Sequence, residues 1–295
     1  MSAVYRTGTL AIIGQPNVGK STLLNQLIGQ KISITSKKPQ TTRQRVMGIL
    51  TTSLCQYIFV DTPGFQTRHA GALDRIMNRS VTQALADVDV VICVIEAGRR
   101  ATAQRSIFKL LPRERPVILA INKIDRLTDK SQLLPCIAQM AEEFPFAEIV
   151  PLSAMTGSGT EQLLTAASRY LPMAEPIFGA DQVTDRSERF LAGELLREKL
   201  FRNLGEELPY RIAVEIERFE QEGNLRRISA VIVVDKAAHK SIVIGKGGEK
   251  LKTMSSDARR DMENLFGGKV YLDTWVKVRS GWAEDQRTLK SLGYQ

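Results

Sequence analysis

Residues 14–21 read Gly14-Gln15-Pro16-Asn17-Val18-Gly19-Lys20-Ser21, and Thr22 follows them. An apolar run from Thr9 to Ile13 precedes this motif, and a helical pattern begins after Gly19. A GxxxxGK[ST] motif between a strand and a helix forms a phosphate-binding loop. Its backbone N–H groups surround phosphate oxygens, its lysine adds positive charge, and its serine hydroxyl is a Mg²⁺ ligand. The motif therefore predicts a nucleotide-phosphate site made by residues 14–22.

Short β-branched apolar runs alternate with longer helical patterns from Thr7 to Leu171. This alternation is typical of a doubly wound α/β domain with a mostly parallel sheet. The second and third predicted strands are too close in sequence for a crossover helix, so we expect an antiparallel hairpin there. The predicted strands are 9–13, 46–52, 56–60, 90–95, 117–121 and 148–151, and the predicted helices follow Gly19 and span 73–86, 101–111, 132–143 and 160–170.

The pattern changes after residue 171. Residues 172–186 contain Pro172 and Pro176 among small and acidic residues and lack both the helical and the strand period, so we interpret them as a linker. Residues 187–295 then predict an α+β unit with the order α-β-β-α-α-β, whose last strand spans 270–279. We therefore expect a nucleotide-binding domain at 1–171 and a second domain at 187–295.

Composition limits the function further. The 295 residues carry a net charge of +9, which favours polyanionic partners such as RNA or an anionic membrane surface. Three cysteines without CxxC spacing (Cys55, Cys93 and Cys136) indicate free thiols in a reducing cytoplasm. Two distant histidines exclude a zinc site with several imidazoles, and no apolar run reaches the length of a membrane-spanning helix.

Two further motifs end predicted strands. Asp61-Thr62-Pro63-Gly64 offers a carboxylate that can hold Mg²⁺ and a Gly64 amide that can sense a γ-phosphate. Asn122-Lys123-Ile124-Asp125 suits guanine, because the Asp125 carboxylate can accept from the N1–H and from the exocyclic amine. Ser153-Ala154, after another strand, would offer a backbone N–H to guanine O6. All these motifs lie at the carboxyl ends of strands, where α/β sheets bind ligands.

Together these motifs resemble those of the translation-factor-related GTPases, and closely those of the Era family. The resemblance implies a P-loop GTPase that uses GTP, GDP and Mg²⁺, with Ser21, Thr42 and Asp61 as the metal site. The loop Lys38-Pro39-Gln40-Thr41-Thr42-Arg43 looks like the family's first switch, with Thr41 as the alternative ligand to Thr42. A segment that orders only with the triphosphate is a recognised switching element.

The catalytic residues are less complete than the binding residues. Phe65 follows Gly64, where many GTPases carry a glutamine that orients the attacking water, so we expect slow hydrolysis. Lys20, Thr42, Gly64 and Asn17 are the candidate catalytic residues. Asn17 either helps to bind a potassium ion, as in some relatives, or is a plain polar loop residue. Arg43 and Arg45 either act on the transition state or form a solvated basic loop, and we favour the loop.

A second site is predicted at Ile244-Gly245-Lys246-Gly247-Gly248 and Lys250. A GxxG segment allows close approach of a nucleic-acid backbone, and a following helix N-terminus attracts phosphate. Residues 236–260 contain seven basic side chains and two acidic ones, a net charge of +5 beside the GxxG. In this α-β-β-α-α-β order the segment resembles a type II KH domain, which implies binding of single-stranded RNA.

The Era resemblance extends over the whole chain and implies its partners. These are the 3′ end of 16S rRNA and the small (30S) ribosomal subunit, whose maturation the protein would assist as a cytoplasmic monomer. Peripheral association with the inner membrane stays an open expectation. The alternatives are a membrane-surface signalling GTPase and an RNA-binding scaffold with a vestigial GTPase activity. Trp275 and Trp282 are expected to pack rather than to bind RNA.

Overall fold

The computed structural model describes residues 4–38, 41–64, 72–205 and 207–292. The chain forms two compact units. The first comprises Met1–Ser33, Thr42–Arg68 and Met77–Asp185, and the second comprises Ile34–Thr41, His69–Ile76 and Arg186–Gln295. Within the described residues, no helix is both long enough and apolar enough to span a membrane.

The first unit is built on a six-stranded sheet in the order β2-β3-β1-β4-β5-β6. Its pairs are parallel except for β2 and β3, which confirms the predicted hairpin. The central strands are buried on both faces, which is why their sequences are continuous apolar runs. The strands are β1 Arg6–Ile13, β2 Val46–Thr51, β3 Cys55–Asp61, β4 Val90–Glu96, β5 Val117–Asn122 and β6 Glu148–Pro151.

Helices alternate with these strands along the described chain. The helix predicted at 101–111 is instead a 3-10 turn, Ala101–Gln104, followed by the single-turn helix α3, Arg105–Phe108. Pro112 disfavours helical geometry in the residue before it, so the helix ends earlier than its apolar pattern suggests. The helices are α1 Lys20–Ile28, α2 Ala72–Ala86, α3, α4 Leu133–Glu143 and α5 Thr160–Ser168.

The segment 172–186 has no named helix or strand, but it is not isolated from the first unit. The Ile49 N–H donates to the Val183 carbonyl at 2.9 Å, and the Thr184 hydroxyl donates to the Met47 carbonyl at 2.6 Å. The buried Gln56 side chain accepts from the backbone N–H of Phe178 at 2.9 Å. Parts of the segment expected to be a linker are therefore held against both β2 and β3 by backbone and side-chain hydrogen bonds.

The second unit has the predicted α-β-β-α-α-β order. It consists of α6 Glu188–Asn203, β7 Ile212–Glu222, β8 Leu225–Val234, α7 Ala237–Ile244, α8 Glu249–Phe266 and β9 Lys269–Val278. Strand β8 lies in the centre, antiparallel to β7 and parallel to β9. Side chains such as Leu196 of α6, Ile232 of β8 and Met254 of α8 form one buried core.

A last helix, α9 Gln286–Ser291, has no counterpart among the predicted elements. Asp285 caps it by accepting from the Thr288 N–H at 2.9 Å, and Leu289 is fully buried. Six residues are too few for a helical period to stand out from the surrounding polar sequence. Trp282 is 1% exposed, as expected for a packing residue, whereas Trp275 is half-buried.

Candidate functional site

The loop between β1 and α1 has the geometry of a phosphate-binding loop. Gly14 has a φ of 156°, and a Cβ there would lie 2.3 Å from the Val94 carbonyl oxygen. Gly19 has a φ of 102°, and its Cβ would lie 2.3 Å from the Asn122 amide nitrogen. Both positions therefore require glycine, because a side chain would collide with the neighbouring strand ends.

Lys20 begins α1 and lies beneath this loop. Its side-chain nitrogen donates to the carbonyls of Gly14 at 3.1 Å and Gln15 at 3.0 Å, and the residue is 6% exposed. Burial lowers the pKa of Lys20 to about 8, although the nearby Asp61 carboxylate opposes the change. The lysine is thus a desolvated cation placed where a phosphate would meet it.

Three hydroxyls converge on the buried Asp61 carboxylate. Its Oδ2 accepts from Ser21 at 2.8 Å and from Ser33 at 2.8 Å, and it lies 3.5 Å from the Thr42 hydroxyl. The hydroxyl oxygens of Ser21 and Thr42 are 2.8 Å apart. Thr41, the alternative switch ligand, instead donates its hydroxyl proton to the Lys38 carbonyl at 2.8 Å. The geometry therefore groups Thr42, and not Thr41, with Ser21 and Asp61.

This group of residues fits Mg²⁺. Asp61 is fully buried, and its Oδ1 has no hydrogen-bond partner within the described residues. Burial raises the pKa of Asp61, while Lys20 and the hydroxyl donors oppose the rise. A carboxylate oxygen left without a donor, beside two hydroxyl oxygens, is a hard-oxygen environment of the kind that Mg²⁺ prefers.

Ser33 lies outside every predicted motif, yet it is 2% exposed and donates to Asp61. Asn25 holds it in place, because its Oδ1 accepts from the Ser33 N–H at 2.9 Å and its Nδ2 donates to the Ser33 carbonyl at 2.7 Å. Asparagine is unfavourable inside a helix. An asparagine within the predicted helix after Gly19 was therefore the feature of the sequence that could have indicated a side chain fixing the following loop.

The predicted guanine-binding segments meet through Asn122 at the end of β5. Its Nδ2 donates to the Val18 carbonyl at 2.8 Å, and its Oδ1 accepts from the N–H groups of Lys123 at 2.7 Å and Ala154 at 2.9 Å. Lys123 has a φ of 67° and donates from Nζ to the Asn17 carbonyl at 2.7 Å. One amide thus connects the phosphate loop, the NKxD segment and the Ser-Ala segment.

Asp125 lies in the 3-10 turn Ile124–Arg126 and is exposed, so its carboxylate is accessible to a base. Both backbone N–H groups of the Ser153-Ala154 pair already have acceptors within the protein. The Ser153 N–H donates to the Ser158 carbonyl at 2.8 Å, and the Ala154 N–H already has Asn122 as its acceptor. A guanine O6 would therefore have to share the Ala154 N–H with Asn122.

The GxxG segment joins α7 to α8 in the second unit. Gly245, Gly247 and Gly248 all have positive φ, and a Cβ on Gly245 would lie 2.6 Å from the Lys250 Cβ. A Cβ on Gly247 or Gly248 would meet no atom within 4 Å. Lys246 is exposed between them. The loop is therefore packed on its inner side and open on its outer side, where a nucleic-acid backbone could approach.

Apolar side chains beside this loop divide between core and surface. Val243 is fully buried in the core of the unit, whereas Ile242 is 49% exposed. Ile244 and Leu251 are partly buried against that core. The candidates for an apolar base-binding groove are therefore Ile242, Ile244 and Leu251.

Known proteins resemble both units and the whole chain. Residues 9–123 match the family described as 50S ribosome-binding GTPase, and residues 207–283 match the KH domain. The GTPase Era of Nitrosomonas eutropha is 58% identical over 291 residues, covering 99% of this chain and 98% of that protein. The GTPase Era of Chromobacterium violaceum is 54% identical over 289 residues, with 98% of each covered. The chain belongs to the Era family of GTPases.

Solved structures of Era have the same fold. A point variant of Aquifex aeolicus Era bound to GDP and AlF4⁻ superposes with a TM-score of 0.94 at 38% identity, covering 98% of this chain and 99% of that one. Era bound to MgGDPNP and nucleotides 1506–1542 of 16S ribosomal RNA gives 0.93, with the same identity and coverage. The prediction of a P-loop GTPase domain followed by a KH domain is confirmed, and the chain is a GTPase.

The four predicted catalytic residues of this Era-family site, Lys20, Thr42, Gly64 and Asn17, all lie within the part of the chain that the structure describes. Gly64 lies beside the phosphate loop, because a Cβ on it would be 3.2 Å from the Pro16 Cα. Phe65 lies outside the described residues. Arg45 is exposed, but Arg43 is 1% exposed, so the expectation of a solvated basic loop was wrong for Arg43. Charge along a sequence does not show which side chains the tertiary structure covers.

Proposed function

We propose that this Era-family GTPase binds the 3′ end of 16S rRNA through its second unit and couples that binding to its nucleotide state. Hydrolysis would be slow, and the coupled cycle would assist maturation of the small ribosomal subunit. The observation that carries the proposal is the position of the switch segment. Its residues 34–41 belong to the second unit, whereas Thr42 belongs to the first.

Within the second unit, helix α6 holds this segment by several hydrogen bonds. Arg197 is 1% exposed and donates to the Thr41 carbonyl at 2.5 Å. Lys38 Nζ donates to the Phe201 carbonyl at 2.7 Å, and the Thr35 N–H donates to the Glu198 carboxylate at 3.2 Å. Thr42, which groups with Ser21, is the next residue. Thr42, whose hydroxyl belongs to the proposed metal site, is therefore joined by one peptide bond to Thr41, which Arg197 of the second unit holds.

At the phosphate end, Ser21 and Thr42 would hold Mg²⁺ directly and Asp61 would hold it through water. When bound, the ion neutralises phosphate charge. Lys20 would donate to the β- and γ-phosphates, and the Gly64 amide would contact the γ-phosphate. Loss of that phosphate would remove the contact with Gly64 and weaken the metal site that includes Thr42, and the change would then reach Thr41 and its contacts with α6.

At the base end, the Asp125 carboxylate would accept from guanine N1–H and from the exocyclic amine. Asn122 fixes the neighbouring loops, and Lys123 covers the ring face with its aliphatic stem. Adenine presents no matching pair of donors, so this carboxylate selects GTP and GDP over adenine nucleotides.

Slow hydrolysis follows from the absence of a glutamine after Gly64, since Phe65 has no group that could orient the attacking water. The residues left to act on the transition state are Lys20, Thr42 and the phosphate-loop Asn17. Asn17 is exposed with a φ of 64°, on the outer side of the loop where a potassium ion could add positive charge.

RNA would lie against the outer side of the GxxG loop, with its backbone near Lys246 and Lys250 and its bases against Ile244. The open space outside Gly247 and Gly248 supports this placement. So does the net charge of +5 over residues 236–260, because phosphate contacts supply most of the affinity for nucleic acid. The structural relative solved with nucleotides 1506–1542 of 16S ribosomal RNA supports the choice of RNA.

The decisive test measures affinity for a fluorescent RNA that spans the 3′ end of 16S rRNA. We expect a difference of at least severalfold between the protein bound to a non-hydrolysable GTP analogue and the protein bound to GDP. A scrambled RNA of equal length and charge controls for non-specific attraction. Equal affinity in the two nucleotide states would remove the coupling, and equal affinity for both RNAs would remove the sequence specificity.

A second assay separates the remaining alternatives. Single-turnover GTP hydrolysis, with and without RNA and potassium, distinguishes a working GTPase from a scaffold whose hydrolysis has no consequence. We place the protein in the cytoplasm as a monomer that binds the small subunit. Pelleting with anionic vesicles, in competition with RNA, tests peripheral membrane association, and vesicle binding that RNA fails to displace would favour the membrane-surface alternative.

A further inference from the structure

Glu96 is the last residue of β4 and lies opposite Asn122 in the parallel pairing with β5. The backbone reinforces this position, because the Ala97 N–H donates to the Asn122 carbonyl at 2.8 Å. None of the sequence motifs includes Glu96. Its carboxylate nevertheless lies at the carboxyl edge of the sheet, where the guanine-binding segment begins.

The Glu96 carboxylate pairs with the lysine of that segment. Its Oε1 is 3.0 Å from Lys123 Nζ, and both side chains are 18% exposed. The same ammonium donates to the Asn17 carbonyl at 2.7 Å. Lys123 therefore bridges the phosphate loop and β4, and each of its two acceptors restricts the direction of its stem.

Two arginines complete the cluster. Arg99 donates from Nε to Oε2 of Glu96 at 3.1 Å, and Arg126 lies 3.7 Å from Oε1. Partial burial acts to raise the pKa of Glu96, but Lys123 and Arg99 overcome it and hold that pKa below its usual range. One carboxylate thus balances three cations, and its removal would leave them to repel one another beside the base-binding segment.

We infer that Glu96 is a positioning residue for guanine-nucleotide binding, which acts by holding Lys123 over the face of the base. Lys123 has a left-handed backbone, with a φ of 67°, so its side chain leaves the strand end in an unusual direction. The bridge between Glu96 and the Asn17 carbonyl fixes that direction before the base arrives. The inference rests on the base pocket assigned above and is independent of RNA coupling.

The test is a double-mutant cycle with Glu96→Gln and Lys123→Met, read as the equilibrium affinity for fluorescent GDP and for a non-hydrolysable GTP analogue. We expect Glu96→Gln to weaken both by about tenfold, since a partly shielded charged hydrogen bond is lost. The two losses should be equal, because the cluster lies at the base end. In the Lys123→Met background, Glu96→Gln should change affinity by less than about twofold.

Glu148→Gln is the matched control, because it removes an ion pair with Arg169 of comparable length, 2.9 Å, at the amino end of β6. It should leave both affinities unchanged. Glu96→Asp keeps the charge, so it should bind more tightly than Glu96→Gln, and it serves as the test if the glutamine variant fails to fold. Wild-type affinity for Glu96→Gln, or an equal loss in the Lys123→Met background, would overturn the inference. If Glu96→Gln weakens nucleotide binding as expected but the unmodified protein binds RNA equally well in both nucleotide states, only the proposed function would be overturned.

Discussion

Replacing Ser33 by alanine tests whether the Asp61 carboxylate is organised for a metal. Ser33 is the one donor to Asp61 Oδ2 in the described structure that is not itself a proposed Mg²⁺ ligand, and it donates at 2.8 Å within a buried environment. A hydrogen bond to a charged group contributes about 1.5–3 kcal/mol. Because Ser21 also donates to the same oxygen, we take the lower value, which corresponds to about tenfold in affinity.

The assay is the Mg²⁺ dependence of fluorescent GTP-analogue binding at neutral pH. Ser33→Ala should raise the half-saturating Mg²⁺ concentration by about tenfold, while affinity at saturating Mg²⁺ approaches that of the unmodified protein. Ser131→Ala is the matched control, because its hydroxyl donates to the exposed Asp129 carboxylate at 2.6 Å. An unchanged Mg²⁺ requirement in Ser33→Ala would refute the argument that this donor organises Asp61.

The pH dependence follows from the raised pKa of Asp61. Only the ionised carboxylate assists the metal, so Mg²⁺-dependent binding falls as the pH falls through that pKa. Loss of the Ser33 donor raises the pKa further and moves the decline to higher pH. The stability difference between the two proteins should shrink at low pH, because a protonated Asp61 no longer needs a donor for its charge.

Three other outcomes are expected. Bound phosphate should raise the pKa of Lys20 from about 8, so we expect the protein to take up protons when it binds GDP at pH 8. Calorimetry of GDP binding in buffers of different ionisation enthalpy measures this proton uptake. Lys246→Ala should weaken RNA binding and reduce the salt dependence by about one phosphate contact, whereas Lys130→Ala in the first unit changes neither. Gly245→Ala should lower the melting temperature of the protein, because its Cβ would lie 2.6 Å from the Lys250 Cβ at a φ of 75°.

Much of the fold was predictable because its signals are local. The strands of the first unit are continuous apolar runs, and the phosphate loop, DxxG and NKxD follow three of them directly. The second unit's order was predictable for the same reason, since each element has its own period and glycines separate the helices. The short helix α9 carries no such period, and one capping aspartate and one buried leucine were too little to indicate it.

The missed site residues depend on tertiary contacts. Ser33 becomes functional only because Asn25 fixes its backbone and β3 places Asp61 beside it. Glu96 becomes significant only because β4 and β5 are neighbours in the sheet. Arg43 is the converse case, in which a residue in a basic sequence is covered by the fold. A sequence pattern shows which elements form, but pairing between elements decides which side chains meet.

The strand order also explains how the site divides its chemistry. In the sheet order, β2 and β3 lie on one side of β1, and β4, β5 and β6 lie on its other side. The strand order therefore reverses direction between β1 and β4, which makes that position a topological switch point. The phosphate loop leaves β1 at that point. Asp61 ends β3 on one side and Asn122 ends β5 on the other. The residues proposed to respond to the γ-phosphate are therefore separated along the sheet from those proposed to read the base, so we expect a nucleotide that loses its γ-phosphate to release Thr42 while Asp125 still holds the guanine.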